Sequence, residues 1–284
     1  PSPEEQKKKE VAERLDTQEL LYTGKVVVDR DEKMLVPPES VAGFAGKEYI
    51  IAKEPPEVEF AVIPADPLFL GESPVKPGPD ESPSANNPGP WSNWSQANYD
   101  TRTGKFYSSI GDHAKYDAHI LLVEYDPAAK NVRCLPEVNK VLGRTQDQFM
   151  EGKIRGWLDF YKSKDIDKAH LWYCTYWAKY TEPHERDYAT GYDGGHIMSY
   201  DVMTGDIVDY GVPLVRASWP YHRVDTDRGI MYAVGMFGEF LAWDINEQKT
   251  KWAGYLPKGM GWWERAILID DKTGMVYTSN RDKQ

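Results

Sequence analysis

Histidine side chains recur at the ends of short apolar segments that read as β-strands. His113 follows "SSIGD", His119 opens "HILLVEYD" and His196 opens "HIMSYD". An imidazole exchanges protons near neutral pH, so histidines in such places can act as general acids or bases. The same residues can also bond a neighbouring strand and stabilise a repeat. The sequence leaves both interpretations open.

Three further strand-like segments contain an arginine. "KIRGW" contains Arg155, "WPYHR" contains His222 and Arg223, and "WWERA" contains Arg265. In a propeller such positions lie near the central channel, where sites usually occur. Trp219, at the start of "WPYHR", is either a packing residue or a platform for a sugar ring.

A repeated pattern predicts the elements that position these side chains. Asp follows an apolar or aromatic residue, Gly comes four residues after the Asp, and Tyr comes seven after it. The copies are "YDTRTGKFY" (99–107), "VDTDRGIMY" (224–232) and "IDDKTGMVY" (269–277). The pattern is typical of a hairpin in which Asp bonds its own turn, Gly takes a positive φ and the next strand starts at Tyr.

A second pattern also occurs three times. It has an aromatic residue, then Asp, then a short turn and another strand, in "EYDPAAKNV" (124–132), "SYDVMTGDI" (199–207) and "AWDINEQKT" (242–250). "AHLWYCTYW" (169–177) is similar to the second strand of the repeat, with "YKSKDIDK" in place of the turn. Two hairpins per repeat predict four strands per repeat.

The repeat predicts an all-β protein, a β-propeller of four-stranded blades. Its last two first-pattern copies begin 45 residues apart, a spacing typical of propeller blades. Insertions at 139–153 and 178–193 lengthen the earlier units. About three and a half blades follow residue 91, so either strands in 21–63 complete the ring or the chain belongs to a longer parent, seven-bladed for example. A β-sandwich with similar hairpins is the alternative fold.

The chain divides into four regions. Residues 1–20 are charged and predict a solvated helix or tail, and 21–63 contain strand-like runs. Residues 64–90 hold eight prolines and predict an extended linker or strap. Residues 91–284 carry the repeats.

The net charge of -11 argues against a nucleic-acid partner and against an anionic membrane surface. It does not exclude an acidic ligand, since a local basic pocket can lie in an acidic protein. No apolar run approaches the length of a membrane span. A polysaccharide or other glycan and a protein remain as partners.

Two cysteines, Cys134 and Cys174, permit one disulfide or two buried thiols, and both alternatives stay open. His184 lies in an insertion near Cys174 in sequence, but no tight metal-ligand spacing is present. We therefore expect no metal or other cofactor, with a bound calcium or zinc ion as the alternative.

The stretches "GDHAKYDAHILLVEYDP", "GKIRGWLDF", "GGHIMSYDVMTG" and "WPYHRVDTDRGIMY" resemble the propeller repeats of secreted bacterial proteins related to ulvan lyases and, more distantly, to oligogalacturonate lyases. The resemblance covers roughly residues 91–280. It implies a polysaccharide lyase that acts by β-elimination on a uronate-containing polysaccharide, in a secreted or periplasmic location.

The resemblance also implies roles for particular residues. The motif matches give two choices for each role: His113 or His119 as base, Tyr192 or Tyr221 as acid, and Arg155 or Arg223 as the group that neutralises the uronate carboxylate. The remaining candidates, His222 for catalysis and His196, Trp219, Tyr221 and Arg265 for substrate binding, complete the set. The family's "KIHG" element stands here as "KIRG", which puts Arg155 in place of an expected histidine. The His–Gln metal cluster of oligogalacturonate lyases is not recognisable.

Two classes of function follow. The first is a lyase-like carbohydrate enzyme, and the second is a non-catalytic propeller that binds a glycan or protein or serves as a structural module. The acidic surface and incomplete ring favour the second, whereas the His, Arg and Tyr set favours the first. His113 has no counterpart in the other repeats and is the first candidate for a functional role. Convergence of the histidines with an arginine in one cleft would favour the enzyme.

Overall fold

The computed structural model describes residues 22–43, 52–62, 97–111, 118–135, 137–145, 147–162, 169–177, 183–257 and 267–278. The predictions for 1–20 and 64–90, and those for His113 and Arg265, lie outside these residues.

The described chain is all-β and consists of successive antiparallel sheets, as the repeat predicts. Sheet 1 has six strands in the order β2-β1-β6-β5-β4-β3, with bounds β1 (Tyr22–Asp29), β2 (Val58–Val62), β3 (Asn98–Asp100), β4 (Lys105–Gly111), β5 (Ile120–Asp126) and β6 (Asn131–Cys134). Sheet 2 has four strands in the order β10-β9-β8-β7, with bounds β7 (Asp159–Lys162), β8 (Ala169–Cys174), β9 (Ile197–Asp201) and β10 (Ile207–Asp209).

The later strands continue the series. Sheet 3 has the order β11-β12-β13-β14, with bounds β11 (Tyr221–Asp225), β12 (Ile230–Val234), β13 (Glu239–Asp244) and β14 (Lys249–Tyr255). A two-stranded sheet follows, with β15 (Ile267–Ile269) and β16 (Val276–Thr278). The short helical segments are a 3₁₀ turn (Glu32–Leu35), α1 (Glu39–Ala42), α2 (Val138–Val141) and α3 (Glu185–Ala189). No helix in the described part is long and apolar enough to cross a membrane.

The two sequence patterns are the hairpins that build each sheet. The first pattern forms the β3–β4, β11–β12 and β15–β16 hairpins, and the second forms β5–β6, β9–β10 and β13–β14. The strand at 169–177 is β8, which pairs with β7 and β9 as predicted. The four-stranded repeat is thereby confirmed, while the closed propeller stays a prediction.

The predicted turn chemistry is present at each copy of the first pattern. Asp225 accepts hydrogen bonds from the backbone N–H groups of Asp227 (3.1 Å) and Arg228 (3.0 Å). Gly229 then adopts φ +68° and donates its N–H to the carbonyl of Asp225 at 2.8 Å. Asp100 with Gly104 and Asp270 with Gly274 repeat this arrangement. The following strands begin one or two residues before the tyrosine, because pairing starts at the end of the turn.

The sheets pack face to face, and β8 shows how. Leu171 and Tyr173 belong to the core shared with sheet 1, whereas Trp172 and Cys174 belong to the core shared with sheet 3. Successive side chains of a strand point to opposite faces, so a strand buried on both faces is apolar throughout. Each fully buried side chain of this size stabilises the fold by about 2 kcal/mol.

The strands predicted in 21–63 widen sheet 1. β1 pairs with β2 on one side and with β6 on the other, both antiparallel. In the described residues they therefore extend an existing sheet. A role for them in closing a ring stays a prediction.

Both cysteines are buried free thiols, so the structure selects that alternative over a disulfide. Burial raises the pKa of Cys134 to about 12. Cys174 lies in the core between sheets 2 and 3, where its Sγ is 3.9 Å from the Sδ of Met231. Neither thiol is placed for reaction, because a nucleophilic cysteine needs a lowered pKa and access.

Candidate functional site

The two insertions of the repeat, 139–153 and 178–193, meet each other beside sheet 2. The side-chain Nε2 of Gln148 donates to the carbonyl of Thr190 at 3.0 Å. Arg144 Nη1 donates to the carbonyl of Gly191 at 2.7 Å. The insertions therefore form one structure around a group of polar side chains, which we call the Arg144–His196 cluster: Arg144, Glu151, Tyr192, Asp193, His196 and Asp209.

Arg144 is positioned by the end of α2. Gly143 adopts φ +68°, which stops the helix, and the backbone N–H of Arg144 then bonds the carbonyl of Asn139 at 2.9 Å. The guanidinium reaches over the ring of Tyr192, 5.8 Å from its centroid. Only 9% of the Arg144 side chain is exposed.

Glu151 is held by its backbone and has a carboxyl group without a partner. Asn139 clamps it: its Nδ2 donates to the Glu151 carbonyl (2.8 Å), and its Oδ1 accepts the Glu151 N–H (3.0 Å). The side chain is fully buried, and neither carboxyl oxygen has a hydrogen-bond partner among the described residues. Burial raises the pKa of Glu151 to about 7, although the charges of His196 and Arg144 oppose this. Glu151 therefore gains or loses its proton close to neutral pH.

His196 is fixed at the start of β9 by three contacts. Its N–H donates to Thr175 Oγ1 at 2.8 Å, and its ring Nδ1 lies 2.9 Å from Asp209 Oδ1. Arg144 Nη2 is 3.3 Å from the other ring nitrogen, Nε2. A neutral imidazole that donates from Nδ1 to Asp209 and accepts at Nε2 from Arg144 satisfies both contacts.

Charges around His196 decide its protonation. Burial lowers its pKa, but the hydrogen bond with Asp209 and the charge of Glu151 outweigh burial, so the pKa is raised. Asp209 changes in the opposite direction. Burial raises its pKa, yet the hydrogen bonds from His196 and from the N–H of Gly211 lower it overall. The pair is therefore an imidazole of increased basicity held by an ionised carboxylate.

Tyr192 contributes a protonated hydroxyl group. Its ring packs against Phe149, with centroids 4.5 Å apart, in a small aromatic core that includes Trp177. The hydroxyl oxygen is buried and has no hydrogen-bond partner among the described residues. Burial, followed by the charge of Glu151, raises the pKa of Tyr192 well above its ordinary value. The phenol thus keeps its proton and has it available.

Asp193 is the exposed member of the cluster. Its Oδ1 lies 3.2 Å from Arg144 Nη2 and 3.7 Å from His196 Nε2. Its side chain is 54% exposed, compared with 10% for His196. Asp193 therefore lies at the edge of the cluster that faces solvent.

The structure brings two of the sequence candidates, His196 and Tyr192, into this cluster. Tyr221, His222 and Arg223 lie elsewhere, where β7 meets β11. Arg155 contacts the ring of Tyr176, with its guanidinium 5.9 Å from the centroid. The described histidines consequently do not gather in a single cleft.

The second group, which we call the inter-sheet seam, comprises Trp157, Asp159, Tyr221, His222 and Arg223. Arg223 Nε donates to Asp159 Oδ2 at 2.9 Å, and its guanidinium lies 4.5 Å from the ring centroid of Trp157. Trp157 Nε1 donates to the hydroxyl of Tyr221 at 2.6 Å. These contacts join neighbouring sheets, and Arg223 already has a carboxylate partner.

His222 is fully buried in this seam. Neither ring nitrogen has a hydrogen-bond partner among the described residues. The ring packs on Gly156, where an added Cβ would lie 2.3 Å from His222 Nδ1. Burial lowers the pKa of His222 to about 3, so the ring is neutral and shielded from any polysaccharide. This placement favours a packing role over the predicted catalytic one.

Two other candidates occupy structural positions. Trp219 is fully buried and donates its Nε1–H to the carbonyl of Gly195 at 3.1 Å, so its ring is no surface for a sugar. His119 opens β5 as predicted and is half-buried. Its neighbour Ala118 accepts a bond from Asn139 (2.9 Å), the residue that also clamps Glu151.

The sequence reasoning missed four members of the cluster: Arg144, Glu151, Asp193 and Asp209. Arg144 and Glu151 lie in an insertion, outside both repeated patterns, and Asp209 is an ordinary strand-end aspartate in sequence. The available signal was the insertion itself, because polar residues that interrupt a regular β-repeat often serve a site.

The fold and the site define an all-β protein of packed antiparallel sheets with a buried Arg, His, Tyr and Glu cluster. Among the described residues, no group of three or more His, Cys, Asp or Glu is placed to hold a metal ion. No protein-family model matches the chain, and no curated protein matches it.

Proposed function

We propose that this protein cleaves a uronate-containing polysaccharide by β-elimination and that the Arg144–His196 cluster is its active site. One observation carries the proposal: a guanidinium, an imidazole held by a carboxylate and a protonated phenol occupy one partly open cluster. β-Elimination needs these three groups. A cation neutralises the uronate carboxylate, a base removes the C5 proton, and an acid protonates the leaving oxygen.

Arg144 takes the part of the cation. It already lies 3.2 Å from a carboxylate oxygen, that of Asp193, at the exposed edge of the cluster. In a uronate bound there, C5 is bonded directly to the carbon of the carboxylate that Arg144 contacts. Neutralising the carboxylate makes the C5 proton more acidic, and the low exposure of Arg144 strengthens the interaction.

His196 takes the part of the base. When Arg144 turns to a uronate, the lone pair on His196 Nε2 loses its present donor at 3.3 Å and becomes free to accept the C5 proton. Asp209 stabilises the imidazolium that forms. The electrons of the C5–H bond form the C4=C5 double bond as the C4–O bond breaks.

Tyr192 takes the part of the acid. Its phenol stays protonated at neutral pH because its pKa is raised by burial and by the neighbouring Glu151 carboxyl. That proton passes to the departing glycosidic oxygen. This assignment retains one residue expected from the resemblance, and it moves the base and the cation to His196 and Arg144.

The proposal extends to the architecture. Three successive sheets with four repeat strands each, packed through shared cores, support a β-propeller related to ulvan lyases. A further antiparallel hairpin, β15 and β16, follows the third sheet. A secreted location follows from the same resemblance.

A glycan-binding module without catalysis is the second candidate. The small exposure of Arg144 and His196, 9% and 10% of their side chains, favours it. Such a site can bind a carboxylate at its rim, while Tyr192, which is 1% exposed, stays out of reach of the ligand.

The test measures ultraviolet absorbance of the conjugated C4=C5 double bond with a panel of uronate polysaccharides, ulvan among them. We expect His196→Gln and Tyr192→Phe each to lower the rate by about a hundredfold or more. Tyr192→Phe removes only the hydroxyl and keeps the ring that packs against Phe149, so its effect on the rate reports on the hydroxyl. Activity should increase with pH as His196 loses its proton, and because its pKa is raised this step lies above the usual value near 6.5.

His170→Gln is the matched control. His170 also lies near an aspartate, 3.8 Å from Asp201, but in another part of sheet 2. It should retain the wild-type rate. If the folded wild-type protein produces no absorbance with any substrate, catalysis is wrong, and retained binding of the same polysaccharides would then support the second candidate.

A further inference from the structure

The Arg144–His196 cluster contains a carboxylate from its own chain where a ligand would bind. Asp193 reaches both Arg144 and His196 from the solvent side, with its side chain 54% exposed. The two groups it contacts are each about a tenth exposed. An exposed acid therefore covers two buried polar groups.

Asp193 is not needed to hold those donors. The carbonyl of Gly191 accepts from Arg144 Nη1 at 2.7 Å, whereas Asp193 contacts the other terminal nitrogen, Nη2. Asp209 holds the ring of His196 at 2.9 Å. With both groups fixed by other contacts, removing the Asp193 carboxylate leaves a preorganised site for an anion.

The charges that remain in the cluster without Asp193 also favour binding of an anion. Without Asp193 the cluster has the positive Arg144, the negative Asp209 and a His196 that gains a proton readily because its pKa is raised. Glu151 is neutral below a pH of about 7. The position left by the Asp193 carboxylate therefore favours a single ligand carboxylate.

A ligand carboxylate can replace the Asp193 carboxylate if the Asp193 side chain rotates, without movement of the backbone. The backbone of Asp193 is anchored, since the N–H of Arg216 donates to its carbonyl at 2.7 Å. The next residue, Gly194, adopts φ +139° with the Ala217 carbonyl 2.9 Å from where a Cβ would lie, so the chain cannot shift there. The Asp193 side chain is 54% exposed, so water can solvate its carboxylate when another carboxylate takes its place on Arg144.

We propose that Asp193 occupies the position of a ligand carboxylate on Arg144 and His196, and that a uronate binds by displacing the Asp193 side chain. The identity of the ligand as a uronate rests on the proposed function, whereas the exchange itself does not. The exposed aspartate thereby makes the site selective for acidic sugars, because a neutral sugar cannot replace its charge.

The experiment measures binding of monomeric glucuronate by calorimetry to the wild-type chain, Asp193→Asn and Asp193→Ala. If the Asp193 side chain leaves the site free about a tenth of the time, both variants bind glucuronate about tenfold more tightly. A neutral probe, methyl glucoside, should show no such gain. Circular dichroism checks that each variant is folded.

Glu185→Gln is the matched control. Glu185 forms an exposed pair with Arg216, with a distance of 2.6 Å between Oε1 and Nη1, on the same insertion but outside the cluster. It should bind glucuronate as the wild type does. Unchanged or weaker glucuronate binding by folded Asp193→Asn overturns the exchange, and so does absence of binding by every variant.

The two proposals fail separately. Tighter glucuronate binding by Asp193→Asn without elimination on any polysaccharide supports the exchange and rejects the lyase. Elimination that His196→Gln removes, with unchanged glucuronate affinity in Asp193→Asn, supports the lyase and rejects the exchange.

Discussion

Two buried histidines, each beside an arginine, behave in opposite ways in this protein. His196 lies in the Arg144–His196 cluster, and its pKa is raised. His222 lies in the inter-sheet seam, and its pKa is lowered to about 3. Burial lowers the pKa of both rings, so burial alone does not explain the difference.

The difference comes from carboxylates. His196 has Asp209 at 2.9 Å and the buried carboxyl of Glu151 nearby. His222 packs on the backbone of Gly156, and the adjacent carboxylate, Asp159, is already paired with Arg223. A buried histidine with a free acidic partner can exchange protons, whereas one without it serves as a neutral packing group.

The largest effect is expected at the seam itself. Gly156→Ala places a Cβ 2.3 Å from His222 Nδ1, inside a packed interface that cannot give way. We expect the free energy of unfolding to fall by about 3 kcal/mol, which chemical denaturation measures. Gly43→Ala is the control, because no atom lies within 4 Å of its added Cβ. Equal stability of both variants would show that His222 is not tightly packed.

His222 should make the protein sensitive to acid. The unfolded chain binds a proton at this ring near pH 6.5, but the folded chain does so only near pH 3. The unfolded state therefore binds more protons between these values, and the free energy of unfolding falls as pH falls through this window. We expect a loss of about 3 kcal/mol between about pH 7 and about pH 4. His222→Leu, or His222→Gln if leucine folds poorly, should flatten this slope, and an unchanged slope would assign the acid sensitivity to other groups.

Glu151 should produce a smaller slope of the opposite sign. Its folded pKa, about 7, lies above its unfolded value of 4.5. The folded state binds more protons in that window, so the free energy of unfolding falls as pH rises through it, by about 2 kcal/mol between about pH 5 and about pH 8. Glu151→Gln should remove this loss in denaturation curves, while the exposed Glu185→Gln should retain it. A Gln variant that follows the wild-type slope would contradict a protonated Glu151.

The smallest effect is expected from a substitution that makes the pKa of His196 more like that of His222. Asp209→Asn removes the carboxylate that raises the pKa of His196, so that pKa should fall and His196 should become more like His222. A pH titration of the His196 ring protons by NMR measures the change. Asp206→Asn, at a turn aspartate bonded to Thr204, should leave the titration as it is in the wild type. An unaltered pKa in Asp209→Asn would mean that Glu151 alone sets it.

Local interactions explain why much of the fold could be predicted. In the first pattern, the Asp225 side chain, the turn N–H groups and Gly229 lie within five residues, so the chemistry of the hairpin is visible in the sequence. The strand at 169–177 was likewise predicted from its resemblance to the repeat. The four-stranded sheets followed from two hairpins per repeat. The pairing of β1 with β6 was not predicted, since nothing in the sequence of either strand identifies its partner.

The site was predicted only in part. His196 was found because it opens a repeat strand, and Tyr192 was found through the family resemblance. The arginines chosen from the sequence, Arg155 and Arg223, contact Tyr176 and Asp159 instead. Arg144 was missed because its contact with His196 joins residues 52 positions apart.

The sequence by itself determined the hairpins, their repetition and the all-β class, because these depend on contacts between near neighbours in the chain. Only the tertiary structure decided which histidine has a carboxylate, which arginine is already paired and where a buried acid such as Glu151 lies. Those properties depend on burial and on charges brought together from distant segments. The sequence shows where the histidines are, but the pKa of each one depends on the burial and the charges around it in the folded protein.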